Sequence, residues 1–159
     1  MHYLLPIFKW FDKSWIALFI SDSRWLFPAI EAVHIVALAI LFGALLVLNL
    51  RLLGIVMSDK PIAGLAQEFA PWVLCSLIII LSTGFLLFSS EALKAYANTP
   101  FRVKMVFLLA AIVFHYTLYS RVTHADETAI SPIWNKLAAI VSIGLWLGVG
   151  IGGRGIGFL

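Results

Sequence analysis

Four ionisable side chains stand inside or at the edge of long apolar runs: Glu31, His34, Lys104 and His115. A neutral imidazole is a common protein ligand of haem iron and of other metals, whereas a carboxylate or an ammonium can pair with charges or relay protons. Ionisable groups are costly in hydrocarbon and usually mark a functional pathway. Structural alternatives remain open: Glu31 could pair with Lys104, Lys104 could extend to the interface, and either histidine could join two helices by a hydrogen bond.

The composition shows what surrounds these groups. Apolar residues make up 62% of the 159, charged residues make up 12%, and the mean hydropathy is +1.02. A soluble domain carries about 25% charged residues. Here the charges cluster in short islands between long uncharged runs, such as the nineteen residues between Glu31 and Arg51. The sequence therefore predicts an integral membrane protein, and nothing in its net charge of +3 points to nucleic acid.

Four runs are long enough to cross the ~30 Å hydrocarbon core, which takes ~20 helical residues. They cover about residues 27–53, 71–90, 101–120 and 133–152. Proline suits a first helical turn, and Pro28 and Pro71 predict the starts of the first two. The prediction is an all-α, four-helix membrane bundle over residues 27–159, with no repeat and no soluble domain.

Residues 1–26 are rich in aromatic residues but are interrupted by charges, so no uninterrupted stretch there can cross. Phe8, Phe11, Trp15 and Phe19 recur at helical spacing. A signal peptide is not expected, because no small-residue cleavage site follows a basic start. The pattern predicts an amphipathic helix lying in the membrane interface. A shortened fifth span is the alternative.

Basic residues give the orientation. With four spans, the side that holds both termini carries seven lysines and arginines, against four on the other side. The positive-inside rule then places both termini in the cytoplasm.

Helix geometry places the candidate residues in two layers. Glu31 and His34 are three residues apart, and Lys104 and His115 are eleven apart, so each pair shares a helix face that should point into the bundle. His34 lies roughly 9 Å below Pro28, and His115 roughly 21 Å below Phe101, along helices of the same direction. One iron could take both histidines only if the helices were staggered by two turns.

The count predicts one layer near the termini and another toward the opposite face. The first holds Glu31, His34 and Lys104, with Asn98 and Arg154. The second holds His115, Asn49, Arg51, Thr117 and Arg121. Gly43, Gly84, Gly144 and Gly148 stand within the spans and are typical of close helix packing. The alternative is that these glycines make room for a flat macrocycle.

Three stretches carry a resemblance: "WLFPAIEAVHIVALAILFGALLVLNLRLLG", "APWVLCSLIIILSTGFLLFSSEALKAYANTPFRVKMVFLLAAIVFH" and a terminal "GGRGIGF". From Trp25 to Phe158 the chain resembles a family of small bacterial four-helix membrane proteins of unassigned function. More distantly it is similar to haem-b-binding membrane protoporphyrinogen oxidases, through His34, Gly43 and Arg51-Leu52 and through Phe101, Lys104 and His115. Copper-resistance membrane domains of similar layout are a looser relation.

The resemblance implies a haem-linked or metal-linked redox role in a bacterial inner membrane. We therefore expect a b-type haem, with His34 as first choice of iron ligand and His115 as its distal partner or the ligand of a second centre. Lys104, Arg51 and Arg154 would offset haem propionates or the carboxylate of a quinone or porphyrin substrate, and Glu31 would steady the imidazole or Lys104.

The expected activity is electron transfer or that of an oxidoreductase subunit, with the bilayer, other redox subunits and a quinone as partners. Two alternatives stay open. A copper or other metal transporter would want several soft ligands, and only Met57, Met105 and Cys75 are available besides Met1. A non-catalytic accessory subunit would use the polar layers only to specify packing.

Overall fold

A computed structural model describes residues 13–92, 98–124 and 131–155 of the chain. The described part is helical, and four of its helical stretches are long and apolar enough to cross a membrane. The elements are α1 (Trp15–Asp22), α2 (Leu26–Leu52), α3 (Ile62–Ser90), α4 (Thr99–Phe114), a π-helical turn (His115–Tyr119), α5 (Ser120–His124) and α6 (Pro132–Gly155). The third span is continuous from α4 through the π-helical turn into α5. The predicted four-helix membrane bundle is confirmed.

The second span begins nine residues before the predicted start at Pro71. Pro61, with an extended backbone (φ −64°, ψ 136°), precedes the first helical residue, Ile62, and Pro71 stands inside the helix. Pro71 cannot donate a backbone hydrogen bond to Gln67, yet the surrounding apolar residues continue the helix on both sides. Pro61, which was not predicted as a start, therefore precedes the helix, and Pro71 does not begin it.

The third span starts at Thr99, two residues before the predicted start at Phe101. The Asn98 side chain accepts a hydrogen bond from the backbone nitrogen of Phe101 at 3.1 Å, which caps the first turn of α4. Pro100 occupies the first turn, where its missing N–H costs nothing.

Each spanning helix packs chiefly on its neighbours in the bundle. α2 lies against α3 and α6, and α6 lies against α4. In the described residues, no Cα of α4 comes within 8 Å of a Cα of α2 or α3. Phe88 of α3 and Phe101 of α4 bridge that wider gap by stacking, with ring centroids 5.5 Å apart. Below it, α5 approaches α3 directly. The bundle is therefore widest between α3 and α4.

The short helix α1 lies beside the bundle, against α3 and α2. Ile20 is buried, whereas Trp15, Leu18 and Phe19 are exposed. Trp15 and Phe19 stack on each other, with centroids 5.7 Å apart. This one-sided burial agrees with an amphipathic helix. Its position in the membrane interface stays a prediction, and the part of that prediction that falls on residues 1–12 lies outside the described residues.

Glycines of α6 let α4 approach closely. A β-carbon at Gly152 would lie 3.0 Å from the Cβ of Lys104 and 3.2 Å from its backbone nitrogen, and one at Gly148 would overlap the ring of Phe107. A β-carbon at Gly144 would meet nothing within 4 Å. The packing interpretation therefore holds for Gly148, and for the neighbouring Gly152, while Gly144 has no contact that requires it.

We expect Gly152→Ala to destabilise the bundle and Gly144→Ala to leave it unchanged or slightly more stable. Alanine favours a helix over glycine by about 1 kcal/mol. At Gly152 the new methyl group must push the Lys104 backbone away, and such overpacking typically costs about 1–3 kcal/mol. Unfolding of the two variants in detergent micelles measures the difference. Equal free energies of unfolding would contradict the close contact between α4 and α6.

Candidate functional site

His34 is the centre of the first polar layer. Its side chain is 8% exposed, and its Nδ1 lies 2.8 Å from the Oγ1 of Thr83 on α3. Gly84 leaves space beside the ring, because a β-carbon there would lie 3.3 Å from the Cε1 of His34. α2 presents the histidine on its buried stripe, and α3 supplies both the hydrogen-bond partner and the space.

The hydrogen bonds of Thr83 define the protonation of this histidine. Thr83 Oγ1 also lies 2.6 Å from the carbonyl oxygen of Ile79, which can only accept. The single hydroxyl proton therefore goes to the carbonyl, so the hydroxyl oxygen accepts from Nδ1–H of His34. In a neutral imidazole the lone pair is then on Nε2, which makes no hydrogen bond to the described residues. Ligand histidines of metal sites are usually held in this way.

Lys104 reaches the same layer from α4. Its backbone and β-carbon pack on Gly152, and its side chain runs along Gly153. The same end of the bundle includes Asn98, which caps α4, and Arg154, in the last turn of α6. Lys104 therefore lies at the same end of the bundle as His34, as the depth count predicts.

Glu31 does not join them in the bundle interior. The buried side of α2 continues from His34 to the partly buried Ile30 and Phe27, whereas Glu31 is exposed. Residue 30 is displaced by about 40° from residue 34 around the helix and residue 31 by about 60°, on opposite sides. Burial follows Ile30, so the prediction of an interior Glu31 is wrong. Among the described residues it forms no ion pair with Lys104.

The second polar centre surrounds the π-helical turn. The His115 ring stacks on Tyr119, with centroids 5.2 Å apart and planes at 25°, and meets Tyr116 edge-on at 5.1 Å. Beside them lies a partly open cavity of about 170 Å³. Its lining comprises Leu48, Ala66, Ala70, Val73, Leu74, His115, Tyr116, Tyr119, Ser120 and Thr123.

The two histidines occupy different depths. His34 contacts α3 at Thr83 and Gly84, whereas the cavity beside His115 meets α3 between Ala66 and Leu74. These positions are nine to eighteen residues apart, which is roughly 13 to 27 Å along a helix. The stagger that a shared iron would require is therefore absent. His115 belongs to a separate centre.

Of the other residues assigned to the second layer, two are buried and two are exposed. Arg51 is 9% exposed, and its Nε donates to the carbonyl oxygen of Lys60 at 2.8 Å, so it holds the connection between α2 and α3 at the end of the bundle away from His34. Asn49 donates from Nδ2 to Ser142 of α6 at 3.2 Å. Thr117 and Arg121, by contrast, are exposed. Their inward placement is wrong, because they lie on the outer side of the third span.

Tyr119 is the residue that sequence reasoning missed. It is 1% exposed, and its hydroxyl makes no hydrogen bond to any described residue. Only the run of polar and aromatic residues in "HYTLYS" signals something unusual there, and no periodicity predicts a π-helical turn. For the metal alternative, no group of three or more His, Cys, Asp or Glu side chains placed to hold a metal ion occurs among the residues described.

Comparison with known proteins gives a family but no activity. A family model with the description "Family of unknown function (DUF6644)" matches residues 7–159. No curated protein and no solved structure matches the chain. The family agrees with the resemblance to membrane proteins of unassigned function, and the function has to be argued from the site itself.

We expect Thr83→Val to change the tautomer of His34, and Thr83→Ser to preserve it. Valine keeps the shape of threonine but cannot accept from Nδ1–H, so the proton is no longer held there. ¹⁵N NMR of protein labelled at histidine, with the His34 signals assigned by their loss in His34→Ala, reports which nitrogen carries the proton. An unchanged tautomer in Thr83→Val would mean that the hydrogen bond to Thr83 does not hold the proton on Nδ1 of His34.

Proposed function

We propose, from the premise that the chain belongs to the DUF6644 family of unknown function, that it is a membrane protein of electron transfer which binds a b-type haem through His34. One observation carries the proposal: the hydrogen bonds from His34 to Thr83 and from Thr83 to the Ile79 carbonyl leave Nε2 as the lone-pair donor.

The residues of the first layer suit such a group. His34 would ligate the iron, Thr83 would hold the imidazole ring, and the Lys104 ammonium would offset a propionate. Arg154, at the same end of the bundle, is a second candidate for a propionate. Bound haem would supply one-electron chemistry. Arg51 and His115 are too far along the bundle to take part, so the proposal has His34 as the one assigned protein ligand.

The distant resemblance to haem-binding membrane protoporphyrinogen oxidases also supports this function. It rests on His34, Gly43, Arg51-Leu52, Phe101, Lys104 and His115, of which His34 and Lys104 belong to the first polar layer. A role as a redox subunit in a bacterial inner membrane, with the termini in the cytoplasm and other redox proteins as partners, is part of the same proposal. The seven-to-four distribution of basic residues supports the orientation.

An accessory subunit without a cofactor is the second candidate. It is favoured by the bond between His34 and Thr83 if that bond serves only to join α2 to α3. In that case the side chains could be exchanged for another well-packed pair without loss of partner assembly. The metal-transport alternative has less support, because Cys75 is exposed on α3 and the part of the chain described shows no cluster of ligands.

We expect wild-type protein, made with ample haem, to show the α-band of a b-type haem in a reduced-minus-oxidised spectrum. His34→Ala should lose most of the bound haem, because it removes the iron ligand. His115→Ala is the matched control and should retain it, because it changes the other centre. Haem content by pyridine haemochrome and folding by circular dichroism are measured on the same samples.

Two results would contradict the proposal. One is wild-type protein without an α-band. The other is equal haem loss from folded His34→Ala and His115→Ala, which would mean that neither histidine is a specific ligand.

A further inference from the structure

The proposed haem site does not account for the cavity beside His115. It lies between α2, α3 and the third span, at a depth well separated from His34. Its volume of about 170 Å³ is slightly larger than the engineered protein cavity of about 150 Å³ that binds benzene. A single water needs far less space than this. The cavity can therefore hold a substituted six-membered ring.

The lining restricts the chemistry of an occupant. Leu48, Val73 and Leu74, with two alanines, make most of the wall apolar. The polar lining residues are one histidine, two tyrosines, a serine and a threonine, and no lysine, arginine, aspartate or glutamate is among them. A carboxylate or phosphate would find no opposing charge there. A neutral molecule with hydrogen-bond acceptors fits better.

Tyr119 provides the hydrogen-bond donor. Its side chain lines the cavity and is almost fully buried, and its hydroxyl lacks a hydrogen bond to any described residue. A buried hydroxyl without a partner is energetically unfavourable. A ligand carbonyl would remove that cost. The His115 ring, stacked on Tyr119, adds an aromatic wall to the same side.

The mouth of the cavity opens toward the membrane. Leu74 on α3 and Tyr116 in the π-helical turn both line it and are about half exposed, on the outer surface of spanning segments. A ligand with a long apolar tail could therefore place its ring in the cavity and leave its tail among the lipids. Entry would need no passage through the protein interior.

We propose that this cavity binds the ring of a membrane quinone, with Tyr119 donating a hydrogen bond to one of its carbonyl oxygens. A quinone combines a flat six-membered ring, neutral acceptors and an isoprenoid tail, which are the three properties that the cavity selects. The role of the quinone as an electron carrier rests on the proposed function, whereas its binding does not require haem.

The π-helical turn positions this site. An extra residue in the turn widens the helix, and such turns occur often at functional sites. Here the turn runs from His115 to Tyr119, so both ends of it contribute a ring to the cavity wall. Two rings four residues apart are thereby stacked within one turn.

Photolabelling with a short-chain azido-ubiquinone, on haem-free protein in detergent micelles, tests the site. We expect label in the peptides that contain residues 66–74 and 115–123, and competition by unmodified short-chain ubiquinone. Tyr119→Phe should weaken that competition about tenfold, since it removes one hydrogen bond. Ala70→Leu places a larger side chain in the cavity wall, so it should block the ring and abolish the labelling. Thr117→Val removes a hydroxyl from the same turn, outside the cavity, and should change the affinity less than twofold.

Several outcomes would overturn the assignment. They are label spread evenly over the outer helix surfaces, label retained in folded Ala70→Leu, and equal effects of Tyr119→Phe and Thr117→Val. A structure with water alone on Tyr119 in the presence of saturating quinone would do the same. Because haem-free protein is used, a failure here leaves the haem spectrum untouched, and a missing haem band leaves the labelling pattern intact.

Discussion

A hydroxyl group inside the hydrocarbon core finds no water, so its usual hydrogen-bond partners are other groups of the protein. Most of the hydroxyls in the spans solve this within their own helix, by donating to the carbonyl four residues earlier, as Ser76, Ser89 and Thr123 do. Thr83 makes the same bond to Ile79 and also accepts from His34. That second bond joins two helices and orders the protons of a histidine. The first polar centre depends on it.

The same constraint explains why the bundle has two centres rather than one. Each polar group needs a partner at its own depth, and helices offer partners only where their faces meet. At one end α2 and α3 are joined by the hydrogen bond between His34 and Thr83. Lys104 of α4 packs there on the glycines of α6. At the other end the second centre surrounds the π-helical turn, and Arg51 holds the connection between α2 and α3 through the Lys60 carbonyl. Apolar packing around Leu41, Leu45 and Trp146 fills the space between them.

Much of the architecture could be predicted, because a long uncharged run has few alternatives to a spanning helix. The order of depths could also be predicted, since rise per residue is nearly constant along a helix. Glu31 shows the limit of such reasoning: residues three apart share a face only loosely, and packing chose Ile30 instead. Pro71 shows another, because a proline inside a helix and one at its start look alike in sequence.

The cavity was beyond sequence reasoning for a different reason. Its wall combines residues from three segments, and its polar side depends on a turn that departs from the 3.6-residue period. Once a helix leaves that period, every residue beyond is rotated from its expected direction. Thr117 and Arg121, assigned to the second layer by their depth alone, are exposed.

The π-helical turn also separates two parts of the third span that have different neighbours. Before the turn, α4 lies against α6 and keeps its distance from α3, while after it α5 turns toward α3. The extra residue in the turn rotates the side chains that follow it, so one span packs on different neighbours before and after the turn. After the turn, α5 contacts both α3 and α6, so the span has a neighbour there that α4 lacks. In that sense the shape of the bundle is encoded less by any side chain than by the number of residues in one turn.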